Sequence, residues 1–204
     1  MASHDAPSSR SVRTRAALIA AGFELLVDRP IDAIPIDDVV AKAGVAKGSF
    51  FNHFSDKQDF ASAIATEVRL ELEARVTQAN SAIADPIERI AGGLRVCIEF
   101  ARDQPKRTTV LLRSHSNPTS RAHPLNRGLA ADFEAARAQG LLCPEASESG
   151  ILFWMGICQA VMANVVESNP GRNEAQKRLG EMLVLGLTGL GIDRDRALTM
   201  AFPK

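Results

Sequence analysis

The chain is organised around one glycine. Gly44 sits in the run PIDDVVAKAGVAKGSFFNHFSDKQDF, from Pro35 to Phe60, between two stretches that each carry helical patterning. Before it, Ile36, Val39, Val40 and Ala43 recur at the three- and four-residue spacing of one helix face. After it, Val45, Phe50 and Phe54 supply the apolar anchors of a second short helix, expected over about Lys47 to Phe54. The abrupt change of direction between them needs the backbone freedom that glycine supplies, so Ala43-Gly44-Val45 is expected as a tight turn. The pair reads as a helix-turn-helix. Its second helix displays Lys47, Ser49, Asn52 and His53 away from the anchors, a face of donors and one cation suited to a major groove.

The segment AGVAKGSFFNHFSDKQDF resembles the DNA-binding signature of TetR/AcrR-type transcriptional regulators, and TRAALIAAGFELL, Thr14 to Leu26, resembles that family's first helix. The likeness implies an all-α chain: an N-terminal three-helix helix-turn-helix DNA-binding domain, then a larger helical ligand-binding and dimerisation domain, with about nine helices in total. The divisions expected are a disordered arm over residues 1–9, a DNA-binding domain over 10–56 and a helical body over 57–204. The resemblance also implies DNA-binding roles for Arg15, Lys47, Gly48, Ser49, Phe51, Asn52, His53 and Lys57. In the family, the position matching Ser49 touches bases or phosphate, and those matching His53 and Lys57 reach phosphate. Three positions depart from the common pattern. Pro35 stands where a capping Thr or Ser is usual, Ala46 where Ser opens the recognition helix, and Phe51 where a Tyr hydroxyl reaches phosphate. Proline is tolerated in a first turn, and Asp37 and Asp38 suit a positive helix start, so the fold is expected to survive.

Charge alone does not advertise a nucleic-acid partner, because 24 basic and 24 acidic residues cancel. Binding would rest on a few placed contacts, with modest non-specific affinity. The N-terminus lacks the apolar core of a signal peptide, and no apolar run reaches the roughly 18 residues of a membrane span, so a cytoplasmic protein without membrane contact is expected. Cys97, Cys143 and Cys158 have no C-x-x-C pairing and read as buried thiols, with redox sensing as the other reading. His4, His53, His115 and His123 show no metal-ligand spacing, and no nucleophile elbow, phosphate loop or dinucleotide fingerprint appears. No enzyme, metal or cofactor is expected.

Downstream, a long helix opens at Lys57, its surface kept wet by Glu67, Arg69, Glu71, Glu73 and Arg75. Asp85-Pro86-Ile87-Glu88 is a helix start, with Asp85 as cap and Glu88 able to reach back to it. That helix is expected to run to about Arg102, followed by helices near Thr108 to Ser114, Pro124 to Ala138, Ser147 to Glu167 and Ala175 to Leu190. Between Lys106 and Arg137 bases outnumber acids. Arg113 and His115 could stand at a pocket mouth, or the stretch could be a solvated basic face. Candidate ligand-lining residues are Phe100, Leu111, Phe133, Phe153, Trp154 and Cys158, each also readable as plain core. Gly156, Ala160 and Ala163 form a small-residue stripe, and with Leu179, Met182, Leu183 and Gly186 they are expected at a two-fold four-helix interface. The function expected is a homodimeric repressor released from a palindromic double-stranded operator by a small apolar or amphipathic effector. The alternative is a helical dimer of the same fold that binds a metabolite or protein, with weak or no DNA binding.

Overall fold

The computed structural model describes residues 9–114 and 122–203, so residues 1–8 of the arm expected over 1–9 lie outside them, while Ser9 already belongs to the first helix. Among the described residues there are ten α-helices, two short 3-10 turns and no strand. α1 (Ser9–Asp28), α2 (Ile36–Ala43) and α3 (Lys47–Phe51) form a head, from which α4 (Lys57–Asn80) runs out. The body comprises α5 (Pro86–Asp103), α6 (Pro105–Arg113), α7 (Arg127–Ala138), α8 (Pro144–Ser168), α9 (Arg172–Gly189) and α10 (Arg194–Ala201).

The head closes on aromatic rings. Phe50, Phe54 and Phe60 pack together with centroids 4.8 to 5.6 Å apart, in a cluster with Leu18, Ile19, Leu26, Val39 and Val40. Gly44 adopts a left-handed φ of 66°, and the bonds from Val45 N to Val40 O and from Gly44 N to Ala41 O satisfy the last carbonyls of α2. Neither Pro35 nor Ala46 caps its helix through a side chain. α4 is capped by Asp56, which accepts from Asp59 N, while Asp59 accepts from Ser55 N.

The apolar core changes hands inside α4: Phe60 and Ile64 belong to the head cluster, Val68 and Leu72 to the body cluster. In the body, α5 is packed by α4, α6, α7, α8 and α9. Asp85 caps α5 through Ile87 N, but Glu88 pairs with Arg95 at 3.2 Å instead of returning to the cap. α6 starts at Pro105 and α8 at Pro144, each about a turn earlier than expected, because proline suits the first helical position. The tail forms α10, which the sequence did not announce. Its Arg196 pairs with Asp85 at 2.5 Å, Arg95 donates to Met200 O at 2.8 Å, and Phe202 covers Gly180 on α9.

α8 is long and apolar enough, by length and composition, to cross a membrane, although 44% of its most apolar window is buried inside the bundle.

Candidate functional site

The turn at Gly44 presents α3 at the surface of the head. Phe50 is fully buried as its anchor, while Lys47, Gly48, Phe51 and Asn52 are exposed and Ser49 is half-buried. Phe51 is 55% exposed and meets Phe50 edge-on at 5.4 Å, so its ring is not part of the core. Lys47 pairs with Asp37 at 2.8 Å, both well exposed. Exposed pairs of this kind contribute about 1 kcal/mol or less, so phosphate could take the ammonium over at small cost. On the same side Arg29 pairs with Asp38 at 3.1 Å and Lys42 with Glu24 at 2.6 Å. The hydrogen bond and charge of Lys42 hold the Glu24 carboxyl below its usual range.

Of the residues expected at DNA, Lys57 and Arg15 have partners within the chain and His53 borders a cleft. Lys57 Nζ donates to the carbonyls of Asp32 and Ile34, both at 3.0 Å, tying α4 to the link before α2. The α1–α2 link leaves these carbonyls without helical partners, and the ammonium satisfies them. Arg15 lies over the Phe54 ring at 5.4 Å and meets Glu67 at 3.5 Å. With half-buried His53, Arg15 lines a cleft of about 790 Å³ between α1, α4 and α6.

A second cavity, of about 350 Å³, opens among α4, α5, α7 and α8. Its apolar wall includes Leu72, Val76, Leu129, Trp154, Met155 and Met162. Its polar groups are two ion pairs, two thiols and the neutral side chains of Thr77, Asn80, Ser81 and Gln159. Arg69 meets Glu73 at 2.7 Å, and Arg89 meets Asp132 at 2.6 Å. Burial pushes the carboxyls of Glu73 and Asp132 up, against the opposing pull of their arginines. The Cys97–Cys158 hydrogen bond, then burial, pushes the Cys158 thiol well above its ordinary value, which makes it a poor nucleophile. Trp154 Nε1, Arg69 Nε and Asn80 Oδ1 are buried without a hydrogen-bond partner, the last of them packed against Gly92 of α5.

Of the ligand candidates, Trp154 and Cys158 line this cavity. Phe100, Leu111 and Phe133 do not: they are core, Phe100 beneath Arg75 at 5.0 Å and Phe133 against Gly150. Phe153 is 42% exposed, because its register on α8 turns it outward, where it covers Gly189. Arg113 does not line this cavity; it borders a small pocket of about 10 Å³ beside Leu26 and Val110. Its Nη1 donates to Leu26 O at 2.9 Å and Val27 O at 2.8 Å, closing the negative end of α1. His115 lies outside the described residues. Sequence reasoning assigned Arg69 and Glu73 to a wet surface. The signal that could have found them is the spacing of Arg69, Leu72, Glu73, Val76 and Asn80, which puts charge and apolar residues on one stripe of α4.

The dimer candidates divide. Leu179, Leu183 and Gly186 are buried within the chain: Gly186 admits the Trp154 ring, and the two leucines join the body core. Met182 is half-buried against the same core. Gly156, Ala160 and Ala163 are exposed on α8, on the side where Leu152 and Phe153 are also exposed, and Leu185 on α9 is 62% exposed. Gly92 is packed by Asn80, as close packing within a helix pair requires.

Residues 18–64 match the model of bacterial regulatory proteins of the tetR family. Among solved structures, the chain is similar to a TetR family transcription regulator from Marinobacter aquaeolei VT8, with a TM-score of 0.68 and 14% identity over 89% of this chain and 97% of that one. RolR in complex with resorcinol superposes with a TM-score of 0.62 at 20% identity, over 97% of both chains. AibR in complex with isovaleryl coenzyme A and operator DNA gives a TM-score of 0.58 at 21% identity, over 83% of this chain and 97% of that one.

Proposed function

We propose that the chain is a TetR-family transcriptional regulator that acts in the cytoplasm as a homodimeric repressor whose operator affinity is set by a small molecule in the α4–α5–α7–α8 cavity. The observation that carries this reading is the double duty of α4. Its first turns hold Phe60 against Phe50, the anchor of α3, and its later turns supply Arg69, Leu72, Glu73, Val76 and Asn80 to the cavity. A molecule that prefers one placement of α4 therefore has a differential affinity for two head positions, which is what release requires. α6 is a second tie, with Val110 in the head core and Arg113 on the end of α1.

The exposed faces of α8 and α9, with Leu152, Phe153 and Leu185, supply the surface for a two-fold partner. In such a dimer Lys47, Ser49 and Asn52 of each head would meet successive major grooves roughly 34 Å apart. The test is selection of bound duplexes from a random library at near-physiological salt, with the mass in solution measured alongside. A two-fold symmetric site bound by a dimer supports the reading. No enrichment by folded dimer would favour a metabolite- or protein-binding role instead.

A further inference from the structure

We infer that the α4–α5–α7–α8 cavity takes a neutral molecule of one or two rings that offers hydrogen-bond acceptor oxygens to the indole N–H of Trp154 and to Nε–H of Arg69. The inference rests on reading this cavity as the effector site and names the chemistry it selects.

The donors come first. Buried N–H groups are almost always paired, and both of these lack a protein acceptor. The Trp154 ring is oriented by α9: a Cβ on Gly186 would meet its Cζ3 at 2.7 Å and Cε3 at 3.5 Å. That places the benzo edge against α9 and the opposite, N–H-bearing edge away from it, and Trp154 lines the cavity. Charge is already balanced, because each arginine of the cavity has its carboxylate. An anion would stand beside Glu73 and Asp132, and a cation beside Arg69 and Arg89, so a net charge would enter uncompensated. Size bounds the rest. The volume, about 350 Å³, is somewhat over twice the roughly 150 Å³ cavity that accepts benzene. Cys97, Cys158, Met155 and Met162 add polarizable sulfur to the wall, which favours contact with an aromatic ring.

The chain has one tryptophan and no tyrosine, so a single side-chain indole N–H resonance reports on the cavity. The probes are acetophenone, its near-isosteric hydrocarbon α-methylstyrene, benzoate and benzylamine, titrated into the full-length protein. Acetophenone is expected to move the indole proton downfield as the bond forms, and α-methylstyrene to bind without doing so. Benzoate and benzylamine are expected to bind at least about tenfold more weakly than acetophenone. In Trp154→Phe, and separately in Arg69→Lys, which keeps the pair with Glu73, the affinity ratio of ketone to hydrocarbon is expected to fall about fivefold. Comparing the ratio between parent and variant cancels the hydration of each probe. An unmoved indole proton with acetophenone bound, a charged probe binding tightest, an unchanged ratio in both variants, or no binding of either neutral probe would each overturn the inference. Operator release is read separately. If the resonance moves while the operator stays bound, the cavity chemistry holds and the regulatory reading of the cavity fails; release by a probe that leaves the resonance unmoved means the reverse.

Discussion

Gly22→Ala is expected to loosen the head, because α1 and α4 approach each other at this residue. A methyl at Gly22 would sit 2.5 Å from Phe60 Cε1, closer still to Cζ, and 2.7 Å from Ile64 Cδ1. Carbon atoms rest at about 3.5–4.0 Å, so roughly 1 Å of room is missing toward both neighbours. Neither can step aside: Phe60 and Ile64 are each 1% exposed, and Phe60 is held by Phe50 at 5.2 Å and Phe54 at 4.8 Å. Overpacking of this kind costs about 1–3 kcal/mol, and alanine returns about 1 kcal/mol of helix propensity. Because two rigid neighbours are overlapped at once, the cost lies in the upper part of that range, about 2–3 kcal/mol, and the net loss of about 1–2 kcal/mol corresponds to a urea midpoint lower by roughly 0.5–1 M for an m-value near 2 kcal/mol/M. Because head and body have separate cores, amide exchange in peptides from α1 and α4 should be followed beside the midpoint. Gly48→Ala is the control: nothing lies within 4 Å of its new methyl, so stability should hold or rise. A Gly22→Ala protein with an unchanged or higher midpoint and unaltered exchange would refute the claim that the phenylalanine cluster is rigid.

Lys47→Ala is expected to weaken duplex binding uniformly across sequences and lower the salt slope by about 1, as measured by anisotropy titrations at stepped salt; an unchanged slope would remove it from the interface. Phe51→Tyr places a hydroxyl at the edge of an exposed ring, so stability should not change, and operator affinity should rise by about 1 kcal/mol if that hydroxyl reaches phosphate. A neutral result would take residue 51 off the phosphate backbone. Arg113→Met removes two charge-assisted bonds to the end of α1 and should cost about 1 kcal/mol, seen as a melting temperature roughly 2–4 °C lower. Glu73 has its folded pKa raised above 4.5, chiefly by burial, so the native state holds its proton more tightly than the unfolded chain. Its contribution is therefore fully present below that value and lost as pH rises through the raised one, and Glu73→Gln should gain on the parent in urea midpoint as pH climbs past 4.5. A gap that shrinks with pH would reverse the sign of the argument.

The head could be read from the chain because its determinants are local. The turn at Gly44 and the apolar spacing of Ile36, Val39 and Val40 act within a few residues, and the structure keeps them where the pattern puts them. The all-helical body was legible for the same reason, apart from α10, whose short apolar face acquires meaning only against α9 and Asp85. Direction was not legible. Lys57 and Arg113 are cations at helix ends, and sequence offers phosphate, solvent or a carbonyl for each; the carbonyls of Ile34 and Leu26 come within reach only when the chain folds. Arg69 and Glu73 look like surface charges along α4, yet α5, α7 and α8 close over them, so burial rather than composition makes them a cavity wall. Leu183 and Gly186 carry the same apolar signature as a dimer seam and are spent on the chain's own core. Periodicity records that a face is covered, and only the packed structure decides what covers it.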